Sequence, residues 1–190
     1  MHKYLIIYAH PNHDGHNGFL LKTLKEKLKT KNIDFDILDL YQQDYSPVLK
    51  GNELYTAEHR DVAAETKIVQ EKIKTADRLI FIYPTWWQNM PAILKGFFDR
   101  VFISNFAYVY KNGIPFGLLK NKRAAVFTTT SGPAFFFYLI GKPSLRLVTR
   151  YVLLFCGIKS KGFFLGNARK LEINKIKLNR LAESIVSYLA

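Results

Sequence analysis

Five short apolar runs, each followed by a stretch of helical periodicity, restrict this chain to a layered α/β architecture. The runs are Lys3 to Ala9, Phe35 to Leu40, Leu79 to Tyr83, Ala124 to Thr129 and Gly162 to Leu165, rich in the β-branched and aromatic residues that suit strands. Between them apolar side chains recur at helical spacing, as do Leu20, Leu21, Leu24 and Leu28. The pattern predicts helices over Gly18 to Lys31, His59 to Thr75, Ala92 to Val101 and Leu171 to Leu189. A further helical stretch, Phe135 to Phe155, is interrupted near Gly141-Lys142-Pro143, and Tyr41 to Glu58 reads as a turn-rich surface connection. Several strands are apolar without alternation, as expected when helices cover both faces of a sheet. The expectation is a doubly wound, five-stranded parallel sheet of order 2-1-3-4-5 in one domain spanning residues 1–190. No repeat or interdomain linker is visible.

Open sheets of this kind bind ligands beyond the carboxyl ends of their strands, so those ends are where chemistry is expected. After the first strand comes Ala9-His10-Pro11-Asn12-His13-Asp14-Gly15-His16-Asn17, leading into a helix. A helix start presents unpaired N–H groups and the positive end of the macrodipole, a setting for phosphate. Neither Gly-x-Gly-x-x-Gly nor a Walker A sequence is present, which removes the main support for a dinucleotide-binding Rossmann or P-loop reading. His10, His13 and His16 with Asp14 invite a metal reading, but ligand count and the place before a helix favour phosphate, so no metal is expected.

After the third strand, Pro84-Thr85-Trp86-Trp87 places two indoles at a strand end, where a flat apolar ligand such as flavin would cover them. A core or interface role for both tryptophans is the competing reading. After the fourth strand, Thr128-Thr129-Thr130-Ser131-Gly132-Pro133 offers hydroxyls and backbone N–H groups that could face an electron-rich ring edge, as in an oxyanion hole. A plain turn is the alternative. The run Phe135 to Ile140 is apolar enough to line a substrate pocket, a dimer interface or the core.

Charge and cysteine content narrow the function classes. The lone Cys156 excludes an intrachain disulfide and, between Phe155 and Gly157, reads as a buried, inert thiol. The run Leu5 to Tyr8 is too short for a signal peptide and no segment reaches membrane-spanning length, so a cytoplasmic protein is expected. A net charge of +13 suits nucleic acid, an anionic membrane surface or anionic small molecules. No nucleic-acid motif accompanies it, so no nucleic-acid partner is expected, while weak peripheral membrane association stays open.

The segment Pro84-Thr85-Trp86-Trp87, continued by Pro91-Ala92-Ile93-Leu94-Lys95-Gly96 and Asp99-Arg100-Val101-Phe102, resembles the flavin loop of the NAD(P)H:quinone oxidoreductase family. That family comprises flavodoxin-like flavoproteins including the quinone reductases and modulator-of-drug-activity proteins. Ala9, His10 and Asn17 match its phosphate loop, with His16 where phenylalanine is common and its ring N–H a substitute donor. Thr129-Thr130-Ser131-Gly132-Pro133 resembles its Thr-Thr-Gly-Gly-Pro loop, with Ser131 expected to restrict a backbone that glycine would free. The resemblance implies a flavodoxin-like fold and a flavin, FAD ahead of FMN. His10, His16 and Asn17 would hold its phosphates, and Pro84, Thr85, Trp86, Trp87, Thr129, Thr130, Ser131 and Gly132 its ring system. It implies NAD(P)H as co-substrate, hydride transfer through flavin N5 to a quinone-like acceptor, and a homodimer. Tyr138 stands near the family's catalytic tyrosine, but the partner histidine is missing, since all five histidines lie at or before His59. A flavoprotein electron carrier or an ancillary subunit, for example of a potassium efflux system, is the alternative function.

Overall fold

The computed structural model describes residues 2–54 and 61–190. Strands β1 (Tyr4–Tyr8), β2 (Phe35–Asp39) and β3 (Arg78–Pro84) alternate with helices α1 (His16–Thr30), α2 (Ala64–Thr75) and α3 (Ala92–Val101). After a hairpin of β4 (Tyr108–Lys111) and β5 (Ile114–Gly117) come β6 (Arg123–Thr129), α4 (Ala134–Leu139), α5 (Pro143–Arg146), β7 (Lys159–Leu165) and α6 (Leu171–Leu189). The main sheet has five strands in the order β2-β1-β3-β6-β7, all pairs parallel. Counting sheet strands alone, that is the expected 2-1-3-4-5.

Strand alternation divides the core in two. Leu5, Ile7, Leu79, Phe81 and Val126 face one side and pack with Val69, Ile73, Phe97, Val101 and Val148. Ile6, Ile80, Ile82, Ala125 and Phe127 face the other and meet Leu20, Leu24 and Leu28 of α1 and Leu178, Ile185 and Leu189 of α6. Cys156 is buried, and burial pushes its thiol up to about 12, the inert thiol expected.

The β4–β5 hairpin is an addition to the sequence reading. Asn112 and Gly113 at its tip take φ values of 51° and 77°, the two left-handed residues of a type I′ turn. The α2 helix starts at Ala64, with residues 61–63 non-helical; the expected start at His59 lies outside the described residues. The predicted stretch Phe135 to Phe155 breaks more sharply than its glycine and proline suggested. Lys142 adopts φ 53° between α4 and α5, and α5 continues as a π-helical stretch, Leu147–Leu153. β7 begins at Lys159 rather than Gly162, because Lys159 and Lys161 sit on an edge strand, where lysines are ordinary.

One buried ion pair anchors the connection after β2. Arg100 of α3 lies 2.8 Å from Glu53 Oε1 and 2.6 Å from Glu65 Oε1, and it donates to the Ser46 carbonyl at 2.6 Å. Gly96 admits this connection, since a Cβ there would stand 2.0 Å from the Pro47 carbonyl oxygen.

Candidate functional site

Three strand ends meet at one edge of the sheet. The first is the loop after β1. Asn12 Oδ1 accepts the Asp14 N–H at 2.7 Å, and the Asn12 carbonyl accepts the Tyr8 hydroxyl at 2.9 Å, which curls the loop over the start of α1. The His13 carbonyl then lies so close to Gly18 that an added Cβ would be 1.8 Å from it. Gly15 caps α1 with no side-chain bond, and the first amide to find a partner is Phe19, to the Gly15 carbonyl at 2.9 Å. Among the described residues, the amides of His16, Asn17 and Gly18 are thus the orphan donors of the helix start.

The three loop histidines turn to different partners. His10 Nδ1 is 2.8 Å from the Asn12 carbonyl, His13 Nε2 is 2.7 Å from the Asp39 carboxylate, and His16 Nε2 accepts from Asn174 Nδ2 at 3.2 Å. Burial lowers the His10 and His16 pKa values below the usual 6.5, so both rings are neutral near pH 7. Neither His10 nor His16 therefore offers an anion an imidazolium, and the helix start offers backbone N–H groups and the helix dipole. The His16 ring ties α1 to α6 through Asn174.

The second strand end is the turn after β3. Trp86 and Asn89 exchange both backbone hydrogen bonds at 2.9 Å, with Trp87 (φ 51°) and Gln88 (φ 59°) at the tip. The geometry equals that of the Asn112-Gly113 turn, but bulky side chains occupy the left-handed positions, each at a cost of about 1 kcal/mol or more. Trp87 is fully exposed and Trp86 is 42% exposed, so neither is a core residue. Strain and exposed indole surface held together on a rigid turn are features of a binding surface.

The third strand end is the loop after β6. Thr129 is buried, Thr130 and Gly132 half-buried and Ser131 exposed. The Thr130 amide donates to Leu165 and the Gly132 amide to Thr130 Oγ1, whereas the Ser131 amide has no acceptor among the described residues. Ser131 keeps an ordinary negative φ, so the expected backbone restriction from replacing glycine does not arise.

Hydrogen bonds stitch the three ends together. Asn17 Nδ2 donates to Thr129 Oγ1 at 3.2 Å, and the Thr85 amide donates to the Thr129 carbonyl at 2.7 Å. Thr85 Oγ1 is 2.8 Å from both Thr128 Oγ1 and Ser144 Oγ. The His10 and Trp86 rings stand 6.2 Å apart. Asn17 Oδ1 is buried without a partner among the described residues. Rotating that amide lets Thr129 donate to Oδ1 and frees Nδ2 to donate elsewhere, so one polar atom stays available for a ligand in either orientation. Pro84 ends β3 beside Thr129 in the sheet register.

Of the residues expected at the site, His10, Asn17, Pro84, Thr85, Trp86 and Thr129 come together, with Trp87, Thr130, Ser131 and Gly132 on the same loops. Tyr138 goes elsewhere. Its ring packs on Phe164 at 5.0 Å and beneath the Lys142 ammonium at 4.3 Å. Ser144 was not anticipated, and no local pattern in the sequence marks it. Asn12 was within reach, since an Asn two residues before Asp14 is an ordinary Asx-turn signal.

A family model described as flavodoxin-like fold matches residues 2–189. A Haemophilus influenzae protein named uncharacterized NAD(P)H oxidoreductase is 37% identical over 127 residues, covering 66% of this chain and 63% of its own. Human ribosyldihydronicotinamide dehydrogenase (quinone) is 30% identical over 182 residues, covering 83% of this chain and 78% of its own. Rat NAD(P)H dehydrogenase (quinone) 1 is 29% identical over 178 residues, covering 82% of this chain. The chain spans slightly under two thirds of the Haemophilus and rat proteins, 63% and 65%. A crystal structure from Streptococcus mutans superposes with a TM-score of 0.85 at 34% identity, covering 96% of this chain and 100% of that one.

Proposed function

Because this chain belongs to the flavodoxin-like family whose model spans it, we propose that it is a flavin-dependent NAD(P)H oxidoreductase acting on a quinone-like electrophile. The observation that carries the proposal is the stitching of three strand-end loops through Asn17, Thr85 and Thr129 at the open edge of the sheet. The names of the human and rat relatives support the same reading.

The residues present fit a flavin. The uncapped start of α1 and the spare polar atom of Asn17 suit its phosphate and ribityl groups. Trp86 and Trp87 offer exposed indole faces to its ring, and the Ser131 amide offers a donor to the ring edge. A bound flavin supplies two-electron chemistry between a reduced nicotinamide and an acceptor. The protein positions and polarises. Thr85, Thr128 and Ser144 form a hydroxyl chain that fixes the Trp turn against α5, and the His10 ring, neutral, buttresses Trp86. No proton relay is assigned to Tyr138, whose ring face is covered by Lys142. FAD is the flavin proposed, following the family resemblance.

Absorbance of the purified protein and the mass of its released cofactor test this reading and separate FAD from FMN. Absence of flavin uptake at micromolar concentration would sink it. Trp87→Gly gives a sharper check. Glycine relieves the left-handed strain, so the apo protein should melt no lower than the parent. Loss of the indole should weaken flavin binding about tenfold. Unchanged flavin affinity would remove Trp87 from the site.

The proposal includes a homodimer. On α4 and the residue after it, Phe135, Phe136, Tyr138, Leu139 and Ile140 are exposed and only Phe137 is buried. Exposed apolar side chains gathered on one short helix suit a contact surface. Light scattering should report twice the chain mass of 22.0 kDa. A monomer at micromolar concentration would refute it.

A further inference from the structure

The net charge of +13 is concentrated in one part of the chain. Between Asp99 and Glu172 there is no acidic residue, while twelve Lys and Arg residues run from Arg100 to Lys170. Three of these, Lys142, Arg146 and Arg150, follow one another at four-residue spacing along α5 and its π-helical continuation. All three line one cavity of about 400 Å³, with the rings of Tyr138 and Phe164 as its apolar wall. None of the three pairs with a carboxylate among the described residues.

Two local features shape the lining of the cavity. Gly162 forms part of its lining, and a side chain there would crowd Leu145, whose δ carbons would lie 3.3 Å from an added Cβ. Lys142 stays at φ 53° with its ammonium over Tyr138, although a side chain in that backbone region is disfavoured. The cavity also adjoins the strand-end site. Gly141 and Arg146 border both this cavity and the groove beside Gln88 and Asn89 of the Trp turn, and Ser144 of α5 contacts Thr85.

We propose that this cavity takes the adenosine 2′-phosphate end of the reduced nicotinamide co-substrate, so that the protein favours NADPH over NADH. The proposal rests on the oxidoreductase reading above. Two guanidinium forks and an ammonium match a phosphate monoester dianion, a group that NADPH carries and NADH lacks. The Phe164 ring in the lining offers the base an aromatic contact. About 400 Å³ lies within the range of small-ligand sites.

Calorimetric titration of the purified, flavin-saturated protein with adenosine 2′,5′-bisphosphate and with 5′-AMP tests the idea without turnover. The bisphosphate should bind about tenfold more tightly or better. The double variant Arg146→Gln/Arg150→Gln should erase that preference and lower the ratio of kcat/KM for NADPH over NADH to match. Lys142→Gly removes a cation where glycine suits the backbone, so it must reduce the preference in a protein that melts no lower. Equal affinity for the two nucleotides, or a preference that survives both variants, overturns the proposal. Arginine-dependent binding to phosphatidylglycerol vesicles, without preference for the bisphosphate, also overturns it and gives the cations to lipid. Failure of the oxidoreductase reading shows separately, as absent flavin absorbance, and the same titration on that flavin-free protein then decides the cavity.

Discussion

Gly18→Ala is expected to cost the protein both its flavin and about 3 kcal/mol of stability. The added methyl would sit 1.8 Å from the His13 carbonyl oxygen, 2.4 Å from its carbon and 2.7 Å from the His13 Cα. All three neighbours are backbone, so no rotamer change relieves the clash, and the loop after β1 must lift from α1. Lifting it breaks the pairing of His13 with Asp39 and moves Asn12 and His10, which shape the loop at the start of α1. Gly15→Ala is the control. It removes a glycine from the same loop, but nothing lies within 4 Å of its added Cβ and its φ of −91° suits any residue. Gly15→Ala should keep the flavin and most of the stability. Thermal denaturation and the flavin absorbance retained through gel filtration report both quantities. Equal behaviour of the two variants would show that close approach at Gly18 does not shape the site.

This contrast also shows what the sequence could and could not carry. Strand runs and helical stripes placed the sheet and its order, because burial on two faces writes itself into local apolar patterns. Tertiary approach leaves no such pattern. Gly18 looks like any glycine in a helix, and Ser144 like any serine after a proline, yet one seats the loop after β1 and the other meets Thr85. Trp86 and Trp87 were legible as residue types, but only the backbone shows them lifted on a strained turn. The hairpin could have been read from Asn112-Gly113, a strong local turn signal. The positions of His16 and Tyr138 could not, since their partners Asn174 and Phe164 come from elements far along the chain.

Arg100→Met should produce the opposite division of effects: a large loss of stability with flavin affinity unchanged per folded molecule. The Arg100 guanidinium and the Glu53 carboxylate are both buried, while Glu65 is half exposed. Burial works against the arginine's charge, but its bonds to Glu53 and Glu65 outweigh that and hold its pKa above the ordinary value. For Glu53, burial likewise raises the pKa, and the Arg100 and Lys50 bonds more than reverse it, leaving it below the ordinary 4.5. A depressed carboxylate pKa contributes stability present above 4.5 and lost as pH falls through the folded value, so the parent should lose stability in that acid window. Removing Arg100 takes the guanidinium away from a buried carboxylate, at a cost of about 3–5 kcal/mol. The variant should therefore lose the share of acid sensitivity that Glu53 carries, while Asp77, held low by the Lys3 N–H and His2, keeps its own. Adding Glu53→Gln removes that buried charge and should recover about half of the loss, because an amide still serves the Lys50 N–H that Glu53 Oε2 now accepts at 2.9 Å. The Ser46 carbonyl loses its donor in either variant, which limits the recovery. Urea denaturation of the parent, single and double variants at pH 7 and pH 4 checks each step. A double variant no better than the single one would mean that Arg100 acts through packing and the Ser46 carbonyl alone. Flavin lost from the folded single variant would mean that the connection after β2, held against α3 at Pro47 and Gly96, reaches the cofactor as well as the core.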